Sequence, residues 1–462
     1  MSEKYTPDEP IAAIATALSP AALGIVRTSG KGCIELVGKV FSRPAALNKA
    51  AGYTIVYGWL MDDTKRIDEV LVSVFRAPKS FTGEDMVEIS CHGGPSVVTA
   101  VHKLLLAHGF RQAEHGEFTF RAYINGKTDL TKAEAVREII DSRTDVSRGR
   151  AAGRLAGSLY EEIDSIKKLL IDTLAAVEVE VEYPEDEETI SNTFDRADIE
   201  KAVVSLQILA DSWKSEKLYQ DGARVVLCGR TNAGKSSLFN AILKEDRAIV
   251  SAVPGTTRDW LESWASFDGI PVRLFDTAGL RETTDVVEKQ GVELTHSLTT
   301  DADIVLYIID TDCGLSSDDE KFLLQCREPV VVVWNKCDKS GGRKMLTAGQ
   351  KKRISCFKTE VYVSAKSGAG ITDLLKSVKS ILTDGMDTER IQAGLGSARQ
   401  KAAVEDALES VKHSLVSADE NYTLDAVVQD LEDALESLGE VTGEVTPDDV
   451  LGSIFSHFCV GK

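Results

Sequence analysis

The sequence predicts an α/β and α architecture, with an N-terminal α/β domain followed by a helical domain whose two pieces flank a doubly wound α/β unit. Three observations predict it. At 462 residues the chain exceeds one compact domain and suits about three, on a prior of roughly 150 residues each. The apolar period changes along the chain, from short alternating runs to steps of three and four, then back again. In the third region strands and helices alternate in the order that a parallel sheet requires. The expected boundaries are 1–125, 126–220, 221–383 and 384–462.

Each element has its own warrant. Between Ile11 and Phe120 the runs Leu23–Arg27, Thr54–Leu60 and Glu69–Phe75 read as strands, with a helix after Pro95. Leu155, Leu159, Ile163, Ile166, Leu170, Leu174, Val177 and Val181 then form one stripe on a long helix that stops before Pro184. A second stripe carries Ile199, Val203, Leu206 and Trp213. Strand candidates resume at Arg224–Cys228, Val272–Phe275, Ile304–Ile309, Val330–Trp334 and Val361–Val363. After Thr383 the chain is helical again, with Leu424, Val427, Val428, Leu431 and Leu435 in register. Neither helical block alone has many faces to bury, so the two are expected to pack together around an inserted α/β unit.

Composition restricts the partners. Lys plus Arg number 53 against 73 Asp plus Glu, and a net charge of −20 repels polyanions. A nucleic acid would therefore have to be held by a local patch or by a second protein. Lys/Arg and Asp/Glu are nearly balanced from Arg111 to Arg154, so no RNA groove is marked there. Eight cysteines, with no CxxC pair, read as reduced thiols of a cytoplasmic protein. The acidic N-terminus has no apolar signal core, and no run approaches the ~18 apolar residues of a membrane span. Integral membrane association is not expected. The acidic stretch Glu178–Glu188 reads as a solvated helix end, and His92, before a Gly-Gly turn, as structural.

Four motifs carry chemistry. Gly229-Arg-Thr-Asn-Ala-Gly-Lys-Ser236 fits GxxxxGK[ST] between a strand and a helix. Backbone N–H groups of such a turn cradle phosphates, Lys235 neutralises the β and γ groups, and the Ser236 hydroxyl ligates Mg²⁺. Asp276-Thr-Ala-Gly279 ends the next strong strand and puts a carboxylate beside the phosphates for the metal. Asn335-Lys-Cys-Asp338 follows a third strand, and its terminal carboxylate can accept both the N1–H and the exocyclic amine of guanine. Ser364-Ala-Lys366 adds a backbone contact to the base edge. This order points to a Ras-like G domain that binds and hydrolyses GTP.

Gly255-Thr-Thr-Arg-Asp259, Asp276-Thr-Ala-Gly-Leu-Arg281, the segment from Gly116 to Leu130 and the ending Phe458-Cys-Val-Gly-Lys462 together resemble the MnmE (TrmE) family over essentially the whole chain. One departure is Thr231, where the family usually has Pro. The resemblance implies a homodimeric tRNA-modification GTPase. It would work with the FAD protein MnmG to install an aminomethyl-type group on C5 of the wobble uridine, using formyl-tetrahydrofolate or a related folate; tRNA would be bound mainly through the complex. It also implies that the N-terminal domain binds folate and dimerises, with the folate at Arg27, Glu88, Lys127 and Lys462 and a tail role for Cys459.

The nucleotide-contacting set by resemblance comprises Asn232, Ala233, Gly234, Lys235, Ser236 and Ser237, then Ser251, Ala252, Val253, Pro254, Gly255 and Thr256. Asp276, Thr277, Ala278, Gly279, Asn335, Lys336, Asp338, Ser364, Ala365 and Lys366 complete it. Leu280 stands where Ras-like enzymes carry a water-orienting Gln, and Leu has nothing to offer a water. By resemblance the catalytic carboxylate is Glu288. K⁺ is held by Asn232, Ser251, Val253 and Thr256, and Thr257 joins Ser236 around Mg²⁺. Two other readings compete. A ribosome-assembly GTPase that binds rRNA would carry a basic module or a second G domain, and a membrane GTPase would carry a basic amphipathic helix; the chain shows neither feature.

Overall fold

The computed structural model describes residues 9–182, 194–245, 261–276, 300–339, 345–385, 393–419 and 424–461. Contacts divide the chain into two compact units, one made of 1–137, 154–207 and 398–462, the other of 138–153 and 208–397.

The first unit contains a six-stranded sheet built from β1 (Ile11–Ile14), β2 (Leu23–Ser29), β3 (Thr54–Asp62), β4 (Lys65–Phe75), β5 (Met86–His92) and β6 (Arg111–Gln112), in the order β3-β4-β5-β2-β1-β6. Its neighbours are antiparallel except β1 and β6. Period-two patterning sets the faces: Val70, Val72 and Val74 of β4 point into a core shared with Val26, Ile89 and the helices Cys33–Lys39 and Pro95–Ala107, while Leu71 faces out. Pro95 opens its helix, where a missing N–H costs nothing.

The helices of this unit come from both sides of the sequence. Ser158–Glu182 buries Leu159, Ile163, Ile166, Leu170 and Val177. Leu424–Thr442 packs against it and against Ala398–Asp419, burying Val427, Leu431, Ala434, Leu438 and Val441. The two blocks thus share one core, as their stripes require. One expected member of the stripe differs. Leu155 is exposed on a separate helix, Asp145–Ala156, because the chain breaks at Gly157 (φ 115°) and the stripe starts at Leu159.

The second unit is a doubly wound sheet of β7 (Ala223–Gly229), β8 (Leu261–Phe267), β9 (Ile270–Asp276), β10 (Ile304–Asp310), β11 (Val330–Asn335) and β12 (Phe357–Tyr362), in the order β12-β11-β10-β7-β9-β8. All neighbours are parallel except β8 and β9. Strands buried on both faces must be apolar, as Ile304–Ile309 of β10 and Val330–Trp334 of β11 are. Val225, Leu227, Leu306, Ile308, Val331 and Val333 fill one face, and Val226, Cys228, Val305, Tyr307, Val330 and Val332 the other. Sequence placed the last strand at Val361–Val363, but pairing with β11 runs from Phe357 to Tyr362. The polar, antiparallel β8 had no apolar run to announce it. At the turn between β8 and β9 the Thr144 hydroxyl donates to the Gly269 carbonyl (2.8 Å), and Arg143 lies over Trp264 of β8 (4.1 Å). The chain runs from β7 to β8 and β9 on one side and then crosses from β9 to β10 on the other, so the strand order reverses at β7 and a crevice opens at its carboxyl end.

Candidate nucleotide-binding site

That crevice is where the Gly-rich loop lies. β7 ends at Gly229, whose φ of 136° L side chains avoid and where a Cβ would stand 2.2 Å from the Ile308 carbonyl oxygen. After a turn with Asn232 in the left-handed region (φ 64°), the helix Lys235–Glu245 begins. Lys235 folds back over the loop, donating to the carbonyls of Gly229 (2.8 Å) and Arg230 (3.0 Å), so its ammonium is fixed at the loop's mouth. First-turn N–H groups lack intrahelical acceptors, and Ser236 and Ser237 are exposed beside them. Such an end suits an anion. Asp276, buried at the end of β9, is in register with Leu227. Burial pushes the neighbouring Cys228 thiol up to about 12, with Lys235 lowering it and Asp276 raising it.

The second part of the site grows from β11. Asn335 is buried and acts in three directions: its Nδ2 donates to the Ala233 carbonyl (2.9 Å), while its Oδ1 accepts from the N–H of Lys336 (2.8 Å) and of Ala365 (3.1 Å). One side chain therefore ties the phosphate loop to both loops expected at the base. Gly234 makes room for it, since a Cβ there would lie 2.2 Å from Asn335 Nδ2. Lys336, also left-handed (φ 65°), donates to the Asn232 carbonyl (2.8 Å). Asp338 is exposed and held by the Ser364 hydroxyl (2.6 Å). That bond above all, with Lys366 and Lys339 assisting against desolvation, keeps its carboxyl below the ordinary value. A fixed, ionised carboxylate facing solvent is what paired N–H donors of a purine edge need.

A second polar corner lies in the N-terminal sheet. Arg27 on β2 faces Glu88 on β5, with Nε at 2.9 Å and Nη2 at 2.7 Å from Oε1. The rings of Phe81 and Phe118 lie 5.5 and 5.7 Å from the guanidinium. Its Nη1 donates to the Gly461 carbonyl (3.3 Å), so the far end of the chain reaches this corner. The route there is packed: Phe455 and Phe458 join Phe120 and Leu130, and His115 pairs with Val460 as an antiparallel bridge. Cys459 is exposed, and its carbonyl accepts from the Gly116 N–H (3.4 Å). Lys127 is exposed and bonded instead to the Pro78 carbonyl (3.1 Å), in the segment leading to Phe81. His92 is exposed and bound to Asp68 (2.7 Å), a carboxylate that raises its pKa.

The structure thus brings together Asn232, Ala233, Gly234, Lys235, Asn335, Lys336, Asp338, Ser364 and Ala365, with Ser236 and Ser237 on the first turn, Asp276 at the end of β9 and Lys366 beside Asp338. Ser251, Ala252, Val253, Pro254, Gly255, Thr256, Thr257, Thr277, Ala278, Gly279, Glu288 and Lys462 lie outside the described residues. Sequence reasoning missed Asp310 and Thr311, which back the Asn335 loop; the one available sign was an acidic residue closing an apolar strand. It also missed Phe81, Phe118 and the Gly461 carbonyl, which no spacing could have revealed.

Residues 130–459 match the family described as MnmE helical domain, and residues 10–127 match GTP-binding protein TrmE N-terminus. A protein of Treponema denticola named tRNA modification GTPase MnmE is 50% identical over 474 residues, covering 99% of each chain. One of the same name from Carboxydothermus hydrogenoformans is 41% identical, covering 98% of this chain and all of the other. Among solved structures, an Aquifex aeolicus Era variant bound to GDP·AlF4⁻ matches 41% of this chain and 66% of that one, with 26% identity and a TM-score of 0.28. No helix among the described residues is long and apolar enough to cross a membrane. Matched by both domain descriptions and by full-length relatives, the chain belongs to the MnmE (TrmE) family of tRNA modification GTPases.

Proposed function

We propose that GTP hydrolysis by this chain drives addition of an aminomethyl-type group to C5 of the wobble uridine of tRNA, in the cytoplasm, as a homodimer working with the flavoprotein MnmG and a folate one-carbon donor. The observation that carries the reading is the meeting of Gly461 with the Arg27–Glu88 pair. A carboxylate and a guanidinium flanked by two aromatic rings suit a flat heterocycle with an N–H edge and an acidic tail. Lys127 and Lys462 add cations for that tail, and Cys459 is exposed in the segment that closes the corner.

At the nucleotide site Lys235 faces the β and γ phosphates and Asp338 the guanine edge. Ser236 and Thr257 would hold Mg²⁺, which when bound neutralises charge on the phosphates. Asn232, Ser251, Val253 and Thr256 would hold K⁺, whose charge stands in for an arginine finger. Glu288 positions the attacking water in place of the residue that Leu280 cannot supply.

Deleting Cys459 through Lys462 tests the reading. The truncated protein should still bind and hydrolyse GTP, yet fail to restore modified nucleosides in tRNA from a deletion strain and bind folate more weakly. Full modification in the nucleoside digest would remove the tail, and with it the folate corner, from the reaction.

A further inference from the structure

β10 ends at Asp310, and both Asp310 and the following Thr311 bond to the loop that starts at Asn335. Asp310 stands opposite Asn335 in the strand register. Its Oδ1 accepts from the Asp312 N–H (3.0 Å), and its Oδ2 lies 2.8 Å from the Lys336 ammonium. The same ammonium donates to the Asn232 carbonyl at 2.8 Å. Thr311 completes the backing, its hydroxyl (2.6 Å) and N–H (3.0 Å) both donating to the Asn335 carbonyl. Burial raises the Asp310 carboxyl, but the bond from Lys336, the Asp312 N–H and the charges of Lys336 and Lys339 together outweigh it, so the net shift is downward.

A lysine ammonium on a four-carbon stem is mobile and strongly hydrated unless something fixes it. Here a backbone carbonyl of the phosphate loop lies on one side and a carboxylate of a core strand on the other. Lys336 also holds a left-handed backbone, which a residue with a Cβ keeps only when its surroundings over-determine it.

We propose that Asp310 is a positioning residue for nucleotide binding. It fixes the Lys336 ammonium where it joins the phosphate loop to the guanine loop, and thereby sets how slowly nucleotide leaves. The proposal rests on the nucleotide reading of Lys235 and Asp338 given above. The Asp310 carboxylate bonds the Lys336 ammonium and the Asp312 N–H, so its influence on the nucleotide would pass through another residue. It acts through a charge-assisted bond to a residue that spans both loops, and such bonds are roughly twice as strong as neutral ones.

The test is release of a fluorescent GDP analogue from the full-length protein, measured by stopped flow, with GTP turnover alongside. Asp310→Asn should speed release by about tenfold and raise KM for GTP more than it lowers kcat. Asp310→Glu, which keeps the charge, should recover part of the loss. In a Lys336→Met background Asp310→Asn should have little further effect, because the bond it breaks is already gone. If Asp310→Asn speeds release equally in both backgrounds, or only lowers the melting temperature, Asp310 serves the fold and the proposal falls. Asp338→Asn separates the two levels, since it should move preference from guanine toward xanthine nucleotides. Absence of that shift overturns the nucleotide reading itself, whereas a shift accompanied by additive Asp310 and Lys336 effects overturns the Asp310 assignment alone.

Discussion

At the nucleotide corner, Asn232, Lys235, Asn335, Lys336, Asp338 and Ser364 lie at or just beyond the carboxyl ends of parallel strands. At the N-terminal corner, Arg27 and Glu88 face each other across antiparallel strands, 61 positions apart, and Gly461 arrives 434 positions after Arg27. The difference follows from what each ligand demands. A triphosphate needs many N–H groups from one turn, so its residues must be contiguous, and the turn that presents them admits few sequences. A corner of single side chains imposes no spacing. The first site is therefore written as words in the sequence and the second as isolated letters.

The two corners should break differently. The largest effect belongs to catalysis at the nucleotide site. Glu288→Ala should lower kcat by about 100-fold or more while leaving the Kd for GTP nearly unchanged, because a water-positioning group acts in the transition state. Parallel turnover in KCl and NaCl at equal ionic strength should show faster hydrolysis with K⁺. Equal rates would remove the cation from the mechanism, and a proportional loss of affinity in the variant would make Glu288 structural.

A smaller effect is expected from Gly461→Ala. Its φ of 94° is a strained region for alanine, and the new Cβ would meet the Ile14 carbonyl oxygen at 2.7 Å. Strain of about 1–3 kcal/mol should loosen the tail, weakening folate binding without altering GTP release. Unchanged folate affinity, measured by calorimetry, would show that the corner does not depend on the tail's seat.

Smallest is a pH effect behind the same corner. Glu117 is buried; burial raises its carboxyl, but bonds from Arg111, the Glu114 N–H and Arg121 outweigh this and place it below the ordinary 4.5. A depressed carboxyl contributes stability that is present above its unfolded value and lost as pH falls through the folded one. Thermal melts below about pH 4.5 should therefore drop less steeply for Glu117→Gln than for the unsubstituted chain. Parallel curves would mean that the ion cluster carries no proton linkage.

Much of the fold was legible because burial on two faces leaves no freedom: residues 304–309 of β10 and 330–334 of β11 had to be apolar, and the stripe from Leu159 to Val177 had to step by helical turns. Where one face meets water the signal fades, as in β8, where exposed Glu262 and half-buried Ser263, Trp264 and Ser266 stand beside buried Ala265 and Phe267. Leu155 fitted the helical step only because Gly157 was counted as helix. Asp310 was illegible for another reason. An acidic residue closing a strand is ordinary, and only the register that sets it opposite Asn335 gives it a partner.

The joining of the two chain ends has a consequence for synthesis. The Tyr123 hydroxyl bonds the Gly443 carbonyl, 320 positions later, and Phe120 meets Phe455 edge to face. At ~5–20 residues per second, a nascent N-terminal unit waits on the order of tens of seconds for these partners to emerge. During that interval its Phe120 and Leu130 faces are uncovered, while every strand of the nucleotide unit, from Ala223 to Tyr362, has already been made. The central unit can therefore fold on the ribosome as a finished block. The flanking unit closes around its N-terminal part only once Gly443, Phe455 and Phe458 have been translated.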